Sequence, residues 1–96
     1  MEKIVLKVDR NPDLSFTGDS VARGRSHQKG TTTTVYETAK GHWLLAETND
    51  RTNLLTRHVV IENKSEEKLI ETLGFDDVAK AIYSQLHIDT SDQLDI

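Results

Sequence analysis

Arg23, Arg25, His27 and Lys29 recur at every second position, and in an extended strand that spacing projects all four side chains on one side. Cations repeated about every 7 Å along a strand could follow a phosphate backbone or an acidic partner surface. The same row also reads as the solvated outer side of an antiparallel sheet, where alternation leaves one face polar. No aromatic residue interleaves with the four, which removes the stacking that single-stranded nucleic acid uses.

Other side chains invite chemistry singly. Trp43, the only tryptophan, reads either as an interface anchor or as a large core residue packed on a sheet. His27, His42, His58 and His87 fall in four separate stretches, none paired at the i, i+4 spacing of a helical zinc site, and the chain has no cysteine; no metal or cofactor site is read from them. No glycine-rich phosphate loop, nucleophile elbow or Ser-His-Asp context occurs, and Asp76-Asp77 reads as the start of a helix, so no catalytic residue is assigned. The acidic tail 89–96 ends with Leu94 and Ile96 bracketing Asp95. That end is either a short recognition segment for a protein partner or an internal clasp tying down the terminus.

The elements that must position these residues follow from periodicity. Residues 3–8 alternate, with Ile4, Leu6 and Val8 on one side, and Pro12 sits in the break that follows. Residues 14–29 read as a second strand, bent or bulged at Gly18 or Gly24. Thr31 to Thr34, then Val35 and Tyr36, are β-branched and aromatic. With Gly41 at the left-handed position of the turn Ala39-Lys40-Gly41, Thr38 faces His42, Tyr36 pairs with Leu44 and Val35 with Leu45. Residues 54–62 give a fifth strand, with Leu55, Arg57, Val59 and Ile61 on one side. The period then changes to 3.6. Ser65 caps a short helix with Leu69, Ile70 and Leu73 on its apolar edge, and Gly74 stops it. Phe75, Val78, Ala79, Ile82, Tyr83 and Leu86 mark one face of a second helix. Strands first and helices last predict an α+β domain: an antiparallel sheet of four to five strands followed by two C-terminal helices packed on one face, spanning 1–88 with 89–96 as a tail.

Composition sets outer bounds. Ninety-six residues suffice for one small domain. With 35% hydrophobic and 29% charged residues the chain falls in the folding class. A net charge of −4 speaks against a surface devoted wholly to nucleic acid. No run approaches a membrane span, and the first residues, MEKIVLKVDR, lack the apolar core of a signal peptide. The cytosol is the expected location.

Set beside the hairpin, the closing Asp92-Gln93-Leu94-Asp95-Ile96 resembles the ending of a bacterial family, the EXLDI proteins, named for a carboxy-terminal Glu-x-Leu-Asp-Ile. Phe16-Thr17-Gly18 with Val21-Ala22-Arg23 looks like that family's early strand, Val35-Tyr36 with Thr38-Ala39-Lys40-Gly41 like its central hairpin, and the stretch around Ile82-Tyr83 like its last helix. Asp92 stands where the family has glutamate, which keeps the charge on a shorter arm. Many members resemble a fusion in which a segment like a ribbon-helix-helix DNA-binding module precedes this domain. Here the chain starts at Met1 with a strand, so DNA binding is not carried over. The resemblance implies no activity.

Together these features predict a non-catalytic binding or protein-interaction module, expected as a homodimer because a small open sheet has edges to cover. Its candidate partner-binding residues are Arg23, Arg25, His27, Lys29, Trp43, Leu94, Asp95 and Ile96. A regulatory, nucleic-acid-associated protein using the basic strand is the alternative, and a small ligand binder or enzyme with a pocket between sheet and helices is a third.

Overall fold

The computed structural model describes residues 1–91. Strands β1 (Glu2–Leu6), β2 (Leu14–Ser26), β3 (Thr31–Thr38), β4 (Trp43–Asn49) and β5 (Leu55–Ile61) form one antiparallel sheet in chain order. A 3-10 turn (Glu62–Lys64) leads into helices α1 (Glu66–Leu73) and α2 (Asp77–Leu86). This is the α+β arrangement that the change of period predicts, with five strands.

The central hairpin has the predicted register. Tyr36 pairs with Leu44 and Val35 with Leu45, and Gly41 takes φ 86° in the turn, a value that only a residue without Cβ adopts freely. Both helices begin as their capping residues dictate: Ser65 Oγ accepts from Lys68 N at 3.3 Å and Asp76 Oδ1 from Ala79 N at 2.8 Å. Val35, Leu45, Ile61 and Ala22 on one face of the sheet pack against Leu69, Ala79, Ile82 and Tyr83 of the helices. The Tyr83 hydroxyl, buried there, donates to Gly74 O at 2.6 Å, and burial, with Asp76 nearby, pushes its pKa up. Phe75 does not join this core: it is 58% exposed and meets Tyr83 edge to face, because the helix starts only after Asp76.

Two bulges set which side chain faces which way. In β2 the register shifts between Ser20 and Ala22, so the extra residue is Val21, and neither Gly18 nor Gly24 is the bulge. Gly24 serves a different need. A Cβ there would lie 2.9 Å from both Val78 Cγ1 and Val78 O, so its absence lets α2 lie directly on β2. In β5 the shift falls between Glu47 and Thr48 of its partner, making Thr56 the extra residue. Leu55 is thereby turned away from Arg57, Val59 and Ile61, the side on which strict alternation puts it, and joins Leu6, Leu44 and Ala46 on the opposite face.

Among the described residues no helix lies on that opposite face. The sheet curls about it until Leu55 N, at the start of β5, donates to Lys7 O just past β1 at 2.8 Å. Inside the curl Leu6, Leu44 and Ala46 are buried, with Ile4, Leu14, Phe16 and Tyr36 packed around them. Beyond Gly18, β2 extends past β1. The outer edge of this stretch is met by the Gln85 carboxamide of α2, which accepts from Arg23 N at 2.9 Å and donates to Arg23 O at 2.6 Å.

Candidate functional site

The four-cation row does not survive folding. β2 ends at Ser26, and a turn to Gly30 is closed by Gly30 N donating to Ser26 O at 2.9 Å and by Lys29 N donating to Ser26 Oγ at 3.2 Å. Only Arg23 and Arg25, opposite Thr34 and Thr32, remain side by side, on the helix-free face. Arg25 is already engaged: its Nε lies 2.9 Å from Asp50 Oδ2, while Thr32 Oγ1 donates to Asp50 Oδ1 at 2.6 Å. The Thr32 hydroxyl first, and the Arg25 guanidinium after it, hold the Asp50 carboxyl below its ordinary range. His27 sits in the turn. Lys29 has crossed to the helix side, where it lines a cleft of about 120 Å³ with Arg57, Glu47 and Asp76.

Trp43 is 8% exposed and belongs to the helix-side core with Leu45, Ile61 and Leu69. This is the core placement of the two alternatives: period-two alternation from the Tyr36–Leu44 pair puts position 43 on the face that the helices cover. The histidines stay apart. His42 Nδ1 accepts from Asn63 N at 3.0 Å, holding the 3-10 turn against the hairpin, and His87 caps α2 in the left-handed conformation. His58 lies on the helix-free face. Among the described residues no group of three or more His, Asp or Glu side chains is arranged to hold a metal ion, and no helix is long and apolar enough to cross a membrane. Leu94, Asp95 and Ile96, the partner-binding candidates of the tail, lie outside the described residues.

The arrangement that stands out was not legible as a site in the sequence. On the helix-free face a groove of about 540 Å³ runs between the first half of β2 and the far wall of β5, with the β3–β4 turn at one end. Leu44 forms its floor, Leu14 and Phe16 one wall and Val60 the other. Phe16 is steadied by an edge-to-face contact with Tyr36, ring centroids 5.2 Å apart. Val60 is 54% exposed although it stands on a strand. The lining is mainly apolar; its charged or ring-nitrogen groups are Lys40, His42 and His58, with the hydroxyls of Ser15, Thr17 and Thr38 beside them. Such a surface binds by shape and apolar burial, with a few polar groups to orient the occupant.

The signal available in the sequence was the apolar side chain at Phe16, Tyr36, Leu44 and Val60, all on the side opposite Val35 and Leu45. Two short helices cover one face only, so a second apolar face had to close on itself or stay open. It does both: Leu6, Leu44 and Ala46 are enclosed, while Phe16 and Val60 line an open groove beside them. No family model, curated protein or solved structure matches the chain.

Proposed function

We propose that the protein is a non-catalytic interaction module that takes an apolar segment of a partner protein into the groove on the helix-free face. The observation that carries this reading is the contrast between the faces. One is sealed by α1 and α2; the other keeps Phe16, Leu44 and Val60 around a groove whose lining is mainly apolar. A soluble domain that gains nothing from such a surface tends not to keep it open. The groove is wide and shallow, which suits a side chain or two on an extended segment better than an enclosed small molecule.

The nucleic-acid reading has less support, since two cations remain adjacent and Arg25 is neutralised by Asp50. Membership of the EXLDI family stays a proposal resting on the sequence resemblance; it brings no activity with it, and the closing residues 92–96 that name the family lie outside the described residues.

The test is co-purification from the native host with the wild type and with Phe16→Ala, which removes one wall of the groove. Truncating an apolar anchor weakens binding by about 10-fold or more. A partner retained by the wild type and lost by the folded variant supports the groove. Identical partner sets for both proteins refute it.

A further inference from the structure

We infer that the chain pairs with a second copy of itself along β5, the two strands running antiparallel about a two-fold axis at Val59. This goes beyond the groove reading; it shares His58 and Val60 with one side of the groove and leaves the Phe16 wall free.

Hydrogen-bond alternation decides which groups are free. Thr38 N donates to His42 O at 2.8 Å, so Tyr36–Leu44 and Thr34–Ala46 are the next hydrogen-bonded pairs of that hairpin. Trp43, Leu45 and Glu47 then turn their amides toward β5 and bond with Ile61, Val59 and Arg57. His58 and Val60 are left with N–H and C=O groups pointing out along the sheet edge, and among the described residues no strand pairs there. The outer edge of β2 is met by Gln85, whereas among the described residues no side chain guards β5 between Thr56 and Val60, and the strand contains no proline or lysine.

A two-fold at Val59 sets His58 opposite Val60 of the second copy and Val60 opposite its His58. All four outward groups on each strand are satisfied, giving four hydrogen bonds, and each exposed Val60 side chain is covered by the imidazole facing it. The interface is self-complementary, as a two-fold contact must be. Area points the same way. The chain exposes 6845 Å², against roughly 5,500 Å² for a compact monomer of its mass. Even subtracting for residues 92–96 the full area of an unfolded chain, about 800 Å², roughly 700 Å² of excess remains when the reference is scaled to match. Each partner in a standard dimer buries about 800 Å².

The cysteine-free chain makes the test direct. Val59 of each copy would face its twin in a non-hydrogen-bonded pair, with Cα atoms about 4.5 Å apart, within the range that a disulfide spans. Val59→Cys is expected to give an oxidised covalent dimer, and Val5→Cys, on the exposed outer strand β1, is not. The wild type is expected to run in light scattering at twice 10.8 kDa. Val60→Pro removes an outward N–H without touching the β4 ladder and is expected to give a folded monomer; should it fail to fold, Val60→Asp, at an exposed position, takes its place. A wild type that is monomeric at every concentration overturns the inference. So does a dimer that cross-links through Val5→Cys and not through Val59→Cys. If the protein is monomeric while Phe16→Ala still loses a captured partner, the groove reading stands and this one falls.

Discussion

Gln85→Ala tests how the long strand β2 is kept from acting as an open edge. The Gln85 side chain reaches across to the Arg23 backbone with two hydrogen bonds, 2.9 and 2.6 Å, and steadies itself by donating to Ala81 O at 3.0 Å within its own helix. Alanine is at least as good a helix former, so the substitution removes the clamp without weakening α2 itself. A hydrogen bond contributes about 0.5–1.5 kcal/mol net. Because this edge is exposed and water can replace the carboxamide, the lower half applies, about 1–2 kcal/mol in all. For a domain of this size that corresponds to a fall in Tm of about 5–15 °C. Gln85→Glu should fall between, since one carboxylate oxygen still accepts from Arg23 N while the donor to Arg23 O is gone.

Thermal unfolding followed by circular dichroism gives the first readout, and amide exchange at Arg23 the second. Exchange at Arg23 should quicken by more than at Ala22 and Gly24, whose amides turn toward β3. A variant with unchanged Tm and unchanged exchange at Arg23 would show that the carboxamide does not hold this edge.

Three further outcomes are expected. Gly24→Ala places a methyl 2.9 Å from Val78 and should destabilise the fold by about 1–3 kcal/mol through overpacking, measured by urea denaturation; an equal or more stable variant would mean that α2 is free to shift. Trp43→Ala should cost about 3–5 kcal/mol as a core truncation, and the wild-type tryptophan should fluoresce at the blue end of its range and resist aqueous quenchers. Asp50 and Asp13 are both held below the ordinary carboxylate value, Asp50 chiefly by Thr32 and Asp13 chiefly by the Val8 amide. A lowered folded pKa means that the unfolded chain binds the proton first, so this stabilisation is complete above about pH 4 and lost as pH falls through the lowered values. Tm should therefore decline below pH 4, with a shallower decline in Asp50→Asn; parallel curves would remove Asp50 from the account.

The elements were legible where local chemistry dictates them. Gly41 and the β-branched run fix the central hairpin and its register, and Ser65 and Asp76 fix where the helices start, because caps and turns act within a few residues. The bulges at Val21 and Thr56 left no such mark. Each is a one-residue shift defined only in the pairing with the neighbouring strand, and each inverts the facing of what lies beyond it, which is why Leu55 lands in the curl. The basic row failed for a related reason: alternation holds only while the chain stays extended, and the turn between Ser26 and Gly30 ends it after Arg25. The groove is tertiary in origin. Phe16, Leu44 and Val60 are distant in sequence and meet only because the sheet curls toward the side that the helices leave bare.

Which side that is follows from small residues on β2. Ala22 and Gly24 stand on the same face, and the missing Cβ of Gly24 lets α2 come down to contact through Val78. On the other face the same strand presents Arg23 and Arg25, too long and charged to lie beneath a helix. Once α2 is seated, Gln85 falls within reach of Arg23 and closes the β2 edge. One packing choice therefore seals one face and one edge together, and leaves the groove and the outer edge of β5 open at Val60, where they adjoin. Substitutions at Gly24 should consequently disturb events at Val60 on the far side of the sheet, through displacement of α2 and the strand it holds, although the two residues make no contact.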